Sequence, residues 1–258
     1  GRAGTGVDNI DVRAATARRI SVVNAPTAST ISVAELAIGH MISLARHLPE
    51  ADRTMKDGKW EKKRFEGTEL HDKVLGLLGS GRIGAEVAKR AHAFGMDVIA
   101  YDPYLLLKTA EERGIRLVSL AELLRESDFL SVHAALTPET KAMIGEAQLR
   151  AMKRTAFLVN CARGEILQET AVAEALADGV IAGAALDVFE KEPPTGSPIL
   201  SGTTALHREL AEAVARFKRK EAALVFPTGY SANVGTIAGL TLPSLGHIPR
   251  GAWPKRVL

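Results

Sequence analysis

Unbroken apolar runs alternate with stretches of helical periodicity from about residue 20 to residue 188. Six of these runs are predicted to be strands, and they cover residues 19–25, 73–78, 97–102, 128–134, 155–162 and 181–189. Strands that are apolar on both faces are typical of a parallel sheet covered by helices on each side. The pattern therefore predicts an α/β domain built on a doubly wound parallel sheet.

Helical spacing fills the segments between the runs. Ser32 with Glu35 and Ser119 with Glu122 have the serine-x-x-glutamate spacing of a capping box, which predicts that a helix opens at each serine. The first of these helices is expected to be long and to kink or end at Pro49. Further helices are expected at residues 83–94, 146–153 and 169–178.

The alternation of apolar runs with helical stretches does not continue after Pro198. Apolar residues recur at helical spacing from Leu206 to Phe217, and residues 221–226 are a short strand candidate. From Thr241 onward the chain carries three prolines together with glycines, which favours irregular structure. We therefore expect a short α/β tail behind the parallel sheet.

A glycine-rich motif follows the second predicted strand and opens a helix. Gly79, Gly81 and Gly84 fit the pattern G-x-G-x-x-G. In a dinucleotide fingerprint, the first glycine makes the tight turn, the second admits the pyrophosphate, and the third lets helix and strand pack closely. The helix N-terminus attracts the phosphate charge. The alternative is a glycine-rich turn that holds no ligand.

Asp102 ends the next predicted strand, 18 residues after Gly84. A carboxylate at this position accepts hydrogen bonds from the adenosine ribose hydroxyls and repels a 2′-phosphate. Pro103 and Tyr104 follow it, and neither supplies an arginine for such a phosphate. The sequence thus predicts NAD rather than NADP as the cofactor.

Composition narrows the class of protein, its partners and its cellular setting. The chain has 258 residues, of which 46% are apolar and 24% charged, as in ordinary globular proteins. Its net charge of +3 comes from scattered residues, so no nucleic-acid partner is expected. The single cysteine, Cys161, excludes an internal disulfide and favours a reducing, cytoplasmic setting. No run of about 18 apolar residues predicts a membrane span, and no ligand spacing predicts a metal site.

Two strand ends carry groups suited to chemistry. Arg163 lies just past the fifth predicted strand, where open α/β sheets bind ligands, and an arginine can hold a carboxylate with two parallel hydrogen bonds. Asp187 lies at the end of the sixth strand, and Glu190 and Glu192 follow it. Taken alone, each feature fits an ordinary protein surface as well.

Together these segments resemble the D-2-hydroxyacid dehydrogenase family, and within it the D-3-phosphoglycerate dehydrogenase type. The resemblance covers residues 1 to about 200 and rests on GRAGTGVDNID, NAPTASTISVAELA, LGLLGSGRIGAEVAKR, YDP, NCARGEI and AALDVFEKEPP, in the family's order. It implies a Rossmann-like domain that binds NAD and transfers hydride from the CH–OH group of a D-2-hydroxy acid resembling 3-phosphoglycerate. The implied small-molecule partner is a 2-hydroxy or 2-oxo acid, and the implied assembly is a homodimer formed through the helix near 32–57.

The resemblance also implies roles for single residues. Arg163 matches the arginine that orients the substrate, Glu192 matches the glutamate that supports the catalytic histidine, and Arg2 lies in a segment that contacts substrate. Besides the three glycines of the motif, the positions that match NAD contacts are Thr5, Arg82, Ile83, Asp102, Cys161, Ala162, Arg163 and Asp187.

Two departures from the family pattern lower the expected activity. Most of the family's substrate domain is expected to be missing before Gly1, and nothing after Glu192 matches the Pro-His-Leu-Gly-like motif that carries the catalytic histidine. His207 follows Glu192 by 15 residues but lies on a predicted amphipathic helix, so a place on the helix surface is expected. His133 is expected near the cofactor in a structural role.

Residues 201–240 resemble a different family, the PLP-dependent α-oxoamine synthases. Thr228-Gly229-Tyr230 matches a turn that seats the PLP phosphate in that family, but no lysine lies in a motif suited to the Schiff base. The expected organisation is a substrate-domain remnant at 1–24, an NAD-binding domain at 25–200 and a foreign tail at 201–258. Three functions stay open: an impaired NAD-dependent dehydrogenase, an inactive NAD-binding module, and a fragment of a PLP-dependent acyltransferase.

Overall fold

The computed structural model describes residues 1–2, 6–7, 10–192 and 194. Within these residues, six strands form one sheet in the order β3-β2-β1-β4-β5-β6, and every pairing is parallel. The strands are β1 Val74–Leu78, β2 Asp97–Tyr101, β3 Arg116–Leu117, β4 Phe129–Val132, β5 Phe157–Asn160 and β6 Gly183–Leu186. Because the strand order reverses between β1 and β4, the sheet is doubly wound, which confirms the predicted fold class.

Eight α-helices surround the sheet in the described part of the chain. They are α1 Val12–Ala17, α2 Thr30–Ala45, α3 Leu48–Lys56, α4 Arg82–Ala93, α5 Leu107–Glu112, α6 Leu120–Glu126, α7 Glu146–Ala151 and α8 Glu169–Ala177. Short 3-10 helices cover Lys62–Phe65 and Gly164–Ile166. None of the helices in this part of the chain is both long and apolar enough to cross a membrane.

The sheet is buried on both faces, because successive side chains of a strand point to opposite sides and both sides carry helices. Leu75 and Leu77 of β1 pack with buried residues of α2 and α4. Leu78 at the end of the same strand packs with buried residues of α6, α7 and α8. This two-sided burial explains why the strands appear in the sequence as unbroken apolar runs.

The strands end in register at one edge of the sheet. Leu78 pairs with Tyr101 on one side and with Val132 on the other. Val132 pairs in turn with Asn160, and Asn160 pairs with Leu186. The residues that follow these five positions therefore lie in one row at the carboxyl edge of the sheet.

The strand predicted at 19–25 is wrong. The structure has only an isolated parallel bridge there, between Arg2 and Asn24, with the Arg2 amide donating to the Val23 carbonyl at 2.8 Å. Arg19 adopts φ of 57°, which interrupts extended backbone, and Ile20 is 58% exposed. The apolar side chains of this run are thus not covered by a neighbouring helix layer as those of β1 are.

The long helix predicted to open at Ser32 is also partly wrong. The first helix begins at Thr30, because a turn at residues 26–29 leads directly into it, and the N-cap Ser29 makes no side-chain cap. The helix ends at Ala45, and His47 in the left-handed region (φ 52°) separates it from α3. Pro49 lies in the first turn of α3, where its missing N–H has no helical acceptor.

The capping box at Ser119 is confirmed. The Glu122 amide donates to Ser119 Oγ at 3.3 Å, the Ser119 amide donates to Glu122 Oε2 at 2.9 Å, and α6 begins at Leu120. By contrast, α5 and the two-residue strand β3 were not predicted, since elements this short show no clear periodicity. The elements predicted beyond residue 194 lie outside the described residues.

Candidate cofactor and substrate site

Five of the chemically interesting residues occupy the row at the carboxyl edge. Each directly follows a strand end, and they are Gly79, Asp102, His133, Cys161 and Asp187. The register of the sheet thus places them side by side, although they are spread over more than a hundred residues of sequence. Open α/β sheets bind ligands at this edge, where the strand order reverses.

The three glycines of the motif stand in different surroundings. Gly79 adopts φ of 88°, and a Cβ added to it would lie 2.9 Å from the backbone of Ala134. A Cβ on Gly84 would lie 2.7 Å from the carbonyl oxygen of Gly79. A Cβ on Gly81 would meet nothing within 4 Å. Gly79 and Gly84 are therefore required by the protein's own packing, whereas Gly81 leaves open space at the N-terminus of α4.

The surroundings of Gly81 fit the pyrophosphate of a dinucleotide. Gly81 is the N-cap of the 12-residue helix α4 and makes no side-chain cap, so the first amides of this helix lack acceptors within it. Ser80 is fully buried, and its Oγ has no hydrogen-bond partner among the described residues. A phosphate oxygen would satisfy these donors and gain from the helix dipole.

Asp102 is tied to the glycine motif through its carboxylate. Oδ2 accepts a hydrogen bond from the Ser80 amide at 2.8 Å, and Oδ1 accepts one from the Tyr104 amide at 3.0 Å. These bonds fix the carboxylate at the end of β2, where a ribose would reach it.

Sequence reasoning missed a basic side chain at this end of the site. Arg113 Nη1 donates to the Ser80 carbonyl oxygen at 3.0 Å. The sequence carried no signal for this contact, because the turn between α5 and β3 folds back onto the glycine motif from 33 residues away.

Arg82 and Ile83 begin α4, as the glycine motif requires. Arg82 Nε donates to the carbonyl oxygen of Pro26 at 3.2 Å, so this side chain is directed to the segment before α2. Ile83 packs partly buried against the core formed by α2, α4 and the sheet.

The loop after β5 is organised by a buried asparagine that sequence reasoning also missed. Asn160 is fully buried; its Oδ1 accepts from the Ala162 amide at 3.0 Å, and its Nδ2 donates to the Arg163 carbonyl at 2.9 Å. Its own carbonyl accepts from the Asp187 amide at 3.0 Å. Asn160 therefore links the loop that carries Arg163 to the loop that carries Asp187. The sequence signal that could have found this residue is its position, because it is a polar residue at the last position of a buried strand.

The guanidinium of Arg163 lies at its own loop, with Nη1 donating to the Ala162 carbonyl at 2.7 Å. Gly164 follows, and a Cβ on it would overlap the backbone of Phe189 and Glu190. The two loops are thus in direct backbone contact at Gly164, and only a glycine permits that contact.

Glu192 does not face a histidine among the described residues. Its Oε1 accepts from the Phe189 amide at 3.1 Å, which folds the segment back on itself. The Glu190 amide donates to Glu169 Oε1 at 2.6 Å, at the start of α8. The segment that carries Glu192 is therefore anchored to α8 as well as to Gly164.

Two titratable groups of the row are held neutral by burial. Desolvation lowers the pKa of His133 to about 4; its Nε2 lies 2.9 Å from Ser131 Oγ, and its Nδ1 has no partner among the described residues. Desolvation, reinforced by the nearby charge of Asp187, raises the pKa of Cys161 to about 12. Neither an imidazolium nor a thiolate is thus present here at neutral pH.

Arg2 is not part of this row, because it forms the bridge with Asn24 in the segment before α2. Thr5 and His207 lie outside the described residues. Within the described ranges, no group of three His, Cys, Asp or Glu side chains could hold a metal ion.

A glycine motif at a helix N-terminus, with a carboxylate at the next strand end and a reversal of strand order beside it, defines a dinucleotide-binding domain of the Rossmann type. Comparison with known families identifies the family to which this domain belongs. The chain belongs to the D-isomer specific 2-hydroxyacid dehydrogenase family, and residues 38–208 match that family's NAD binding domain. This confirms the family recognised from the sequence, and NAD as the cofactor of the domain.

Similar proteins support the same placement. The chain is 54% identical over 202 residues to the D-3-phosphoglycerate dehydrogenase of Methanocaldococcus jannaschii. This match covers 78% of this chain and 38% of that protein. A glyoxylate reductase from Paecilomyes thermophila superposes with a TM-score of 0.72 at 40% identity, over 77% of this chain and 60% of the other. The D-lactate dehydrogenase with NAD+ from Lactobacillus jensenii gives a TM-score of 0.64 at 34% identity, over 72% and 56% of the two chains.

The chain thus spans about 38% of the length of this relative from Methanocaldococcus jannaschii. The resemblance of residues 201–240 to PLP-dependent α-oxoamine synthases finds no support in these matches and falls outside the described residues.

Proposed function

We propose that this chain is the nucleotide domain of an NAD-dependent oxidoreductase that acts on the CH–OH group of a D-2-hydroxy acid. The observation that supports it is the row at the carboxyl edge, which aligns the ribose carboxylate Asp102 with the loop of Arg163. The cofactor residues of this proposal are Thr5, Gly79, Gly81, Arg82, Ile83, Gly84, Asp102, Cys161, Ala162, Arg163 and Asp187.

Arg163 is the proposed substrate-orienting residue. Its guanidinium can turn from the Ala162 carbonyl to a substrate carboxylate, which offers a charged acceptor and two parallel hydrogen bonds. A bound NAD would supply the acceptor for the hydride that leaves C2 of the hydroxy acid. Asn160 bonds to the backbone of this loop and Gly164 packs it against Phe189 and Glu190, so both hold the loop that carries the arginine.

Glu192 is the proposed second catalytic residue, as the partner of a histidine that removes the hydroxyl proton. In the structure its carboxylate instead caps the Phe189 amide, and His133, the histidine of the row, is buried and neutral. A missing acid–base group lowers a rate by about 10²- to 10⁴-fold, so slow turnover is expected.

The proposed substrate resembles 3-phosphoglycerate, with Arg2 in the segment that contacts it. Support comes from the relative described as a D-3-phosphoglycerate dehydrogenase, at 54% identity. Residues 1–24 are proposed to belong to a substrate domain, residues 25–200 to the NAD-binding domain, and residues 201–258 to a separate tail. We also propose a cytoplasmic location for the chain.

The test is oxidation of NADH by 2-oxo acids, including the 2-oxo analogue of 3-phosphoglycerate. Loss of a charged hydrogen-bonding pair costs about 1.5–3 kcal/mol, so Arg163→Ala should lower kcat/KM by about 10- to 100-fold. Arg150→Ala, at an exposed ion pair on α7, is the matched control and should retain activity. Equal activity of the two variants would contradict the proposed role of Arg163.

A second candidate function is an NAD-binding module without turnover. It is favoured by the contact between Glu192 and the Phe189 amide, which occupies a carboxylate that the reaction needs. Calorimetry with NAD beside the NADH assay separates the two: binding with no detectable turnover supports the module, and turnover lost on Arg163→Ala supports the enzyme.

The proposed assembly is a homodimer formed through α2 and α3. Exposed apolar side chains lie along these helices, with Ile31 47%, Leu48 50% and Met55 54% exposed. Light scattering behind a sizing column measures the mass directly. A monomer at micromolar concentration would contradict the proposal.

A further inference from the structure

Arg113 lies at the adenosine end of the site, although 11 residues separate it from Asp102 in the sequence. It is the C-cap of α5, and its carbonyl oxygen lies 3.1 Å from Nε2 of His92 in α4. Gly114 follows with φ of 67°, and a Cβ on it would lie 3.0 Å from the same imidazole. The turn that carries Arg113 is therefore held against the helix of the glycine motif.

Ser80 joins the guanidinium of Arg113 to the carboxylate of Asp102. The Ser80 amide donates to Asp102 Oδ2 at 2.8 Å, and the Ser80 carbonyl accepts from Arg113 Nη1 at 3.0 Å. The two polar groups of a single residue thus hold opposite charges at the same end of the glycine motif. Arg113 is exposed and forms no ion pair within the described residues, so no carboxylate neutralises its charge there.

The chemistry at this position is that of phosphate selection. Domains of this fold bind the ribose 2′-hydroxyl with an acidic residue and the 2′-phosphate of NADP with a nearby arginine. A guanidinium offers its donors in a planar fork that matches phosphate oxygens. Pro103 and Tyr104, which follow Asp102 in the sequence, supply no arginine, whereas the tertiary structure brings one from the C-cap of α5.

We propose that Arg113 is a latent phosphate-binding residue: it stands beside the ribose position, and the charge of Asp102 is what keeps a 2′-phosphate away from it. The inference rests on the proposed NAD-binding function and extends it to cofactor selectivity. Two effects of Arg113 on cofactor affinity can be separated. Its hydrogen bond to the Ser80 carbonyl holds the glycine motif and so contributes to binding of both NAD and NADP, whereas its charge contributes to binding of NADP alone.

The experiment measures Kd for NAD and for NADP by calorimetry on the full chain. The variants are Asp102→Asn, Arg113→Gln and the double variant, with Arg116→Gln on β3 as the matched control. Arg116 is an exposed arginine whose guanidinium pairs with Glu126 rather than with the glycine motif. Thermal unfolding of every variant without cofactor checks that each is folded.

Asp102→Asn is expected to tighten NADP binding by at least about tenfold relative to the parent chain, since it removes one repelling charge. Adding Arg113→Gln should then weaken NADP by about tenfold more than it weakens NAD, because a charged hydrogen bond is lost for NADP only. Adding Arg116→Gln should leave the ratio of the two Kd values unchanged. Higher salt should erode the NADP gain before it affects NAD.

Two results would overturn the inference while leaving the proposed function intact. One is NAD binding by the parent chain with no gain of NADP affinity in Asp102→Asn. The other is an equal loss of both cofactors on adding Arg113→Gln, which would make Arg113 a clamp of the loop and nothing more. Failure of the parent chain to bind NAD contradicts the proposed function, and the inference with it.

Discussion

Gly81 and Gly84 stand three residues apart in one motif, and the structure predicts opposite consequences when each is replaced by alanine. A Cβ at Gly84 would lie 2.7 Å from the Gly79 carbonyl oxygen, against an ordinary contact of 3.4–4 Å, so one of the two must retreat by about 0.7 Å. Gly79 cannot yield easily. Its amide donates to the Tyr101 carbonyl at 3.0 Å, and its α-carbon faces the Ala134 backbone.

The magnitude follows from two opposing terms. Overpacking costs about 1–3 kcal/mol, and alanine inside a helix gains about 1 kcal/mol over glycine. Because Gly79 is fixed on its other side, we expect the upper part of the overpacking range, and a net loss of about 1–2 kcal/mol for Gly84→Ala. In a domain of this size that lowers Tm by about 2–8 °C.

Gly81→Ala has a different expected result. Its Cβ meets nothing in the protein within 4 Å, and loss of a glycine N-cap costs about 1 kcal/mol at most. The same Cβ occupies the space where the pyrophosphate approaches, so NAD affinity should fall by more than about tenfold.

Thermal unfolding with and without NAD tests both statements at once. At a hundredfold excess over Kd, a ligand adds about 2.7 kcal/mol of stability, which is a clear rise in Tm. Gly81→Ala should unfold within a few degrees of the parent chain and lose this rise, whereas Gly84→Ala should unfold earlier without any ligand. A Gly81→Ala variant that keeps the full NAD-dependent rise, or that unfolds earlier than Gly84→Ala, would contradict the roles given to these two glycines.

Three further predictions follow from the same edge of the sheet. Asn160→Ala leaves the partly buried Ala162 amide and Arg163 carbonyl without their partner, so urea unfolding should show a loss of about 1–3 kcal/mol, with Asn160→Asp keeping the acceptor half of the contact. Since burial lowers the pKa of His133 from 6.5 to about 4, the unfolded chain binds a proton between these pH values that the folded chain rejects. His133 therefore costs no stability above about pH 6.5, and the free energy of unfolding falls from there toward pH 4, by at most about 1.4 kcal/mol per pH unit. Urea unfolding of His133→Asn over that range should lack this part of the slope, and an unchanged slope would contradict the burial argument. Cys161, with its pKa raised to about 12, should resist a thiol reagent at pH 8 until the chain is unfolded, and rapid labelling of the folded chain would contradict its neutrality.

Much of the candidate site was predictable because its residues lie at strand ends. The glycine motif and Arg163 follow predicted strands, Asp102 and Asp187 lie at the ends of predicted strands, and a parallel sheet brings such positions together whatever the distance between them along the chain. The bounds of the helices were harder, as α2 shows. A serine-x-x-glutamate pair occurs inside that helix, and only the incoming turn determines that the helix starts two residues earlier.

Contacts between loops could not be predicted from local pattern. Gly164 fits closely against Phe189 and Glu190 because β5 and β6 end in register and their following loops lie side by side. No feature of the segment NCARGEI predicts this contact. Arg113 reaches Ser80 for a comparable reason, through a short helix and a two-residue strand that the apolar pattern does not reveal.

The amino-acid sequence by itself determined the class of fold, the family and the cofactor, because apolar periodicity and a glycine motif act through backbone geometry within a few residues. Tertiary structure decided how the charged and polar groups are used. It gave Glu192 the Phe189 amide as a partner, kept His133 neutral by burial, and set Arg113 beside Asp102. These outcomes depend on which surfaces meet when the sheet forms. Charges and hydrogen bonds act over a few ångströms in space, and separation along the chain does not fix that distance.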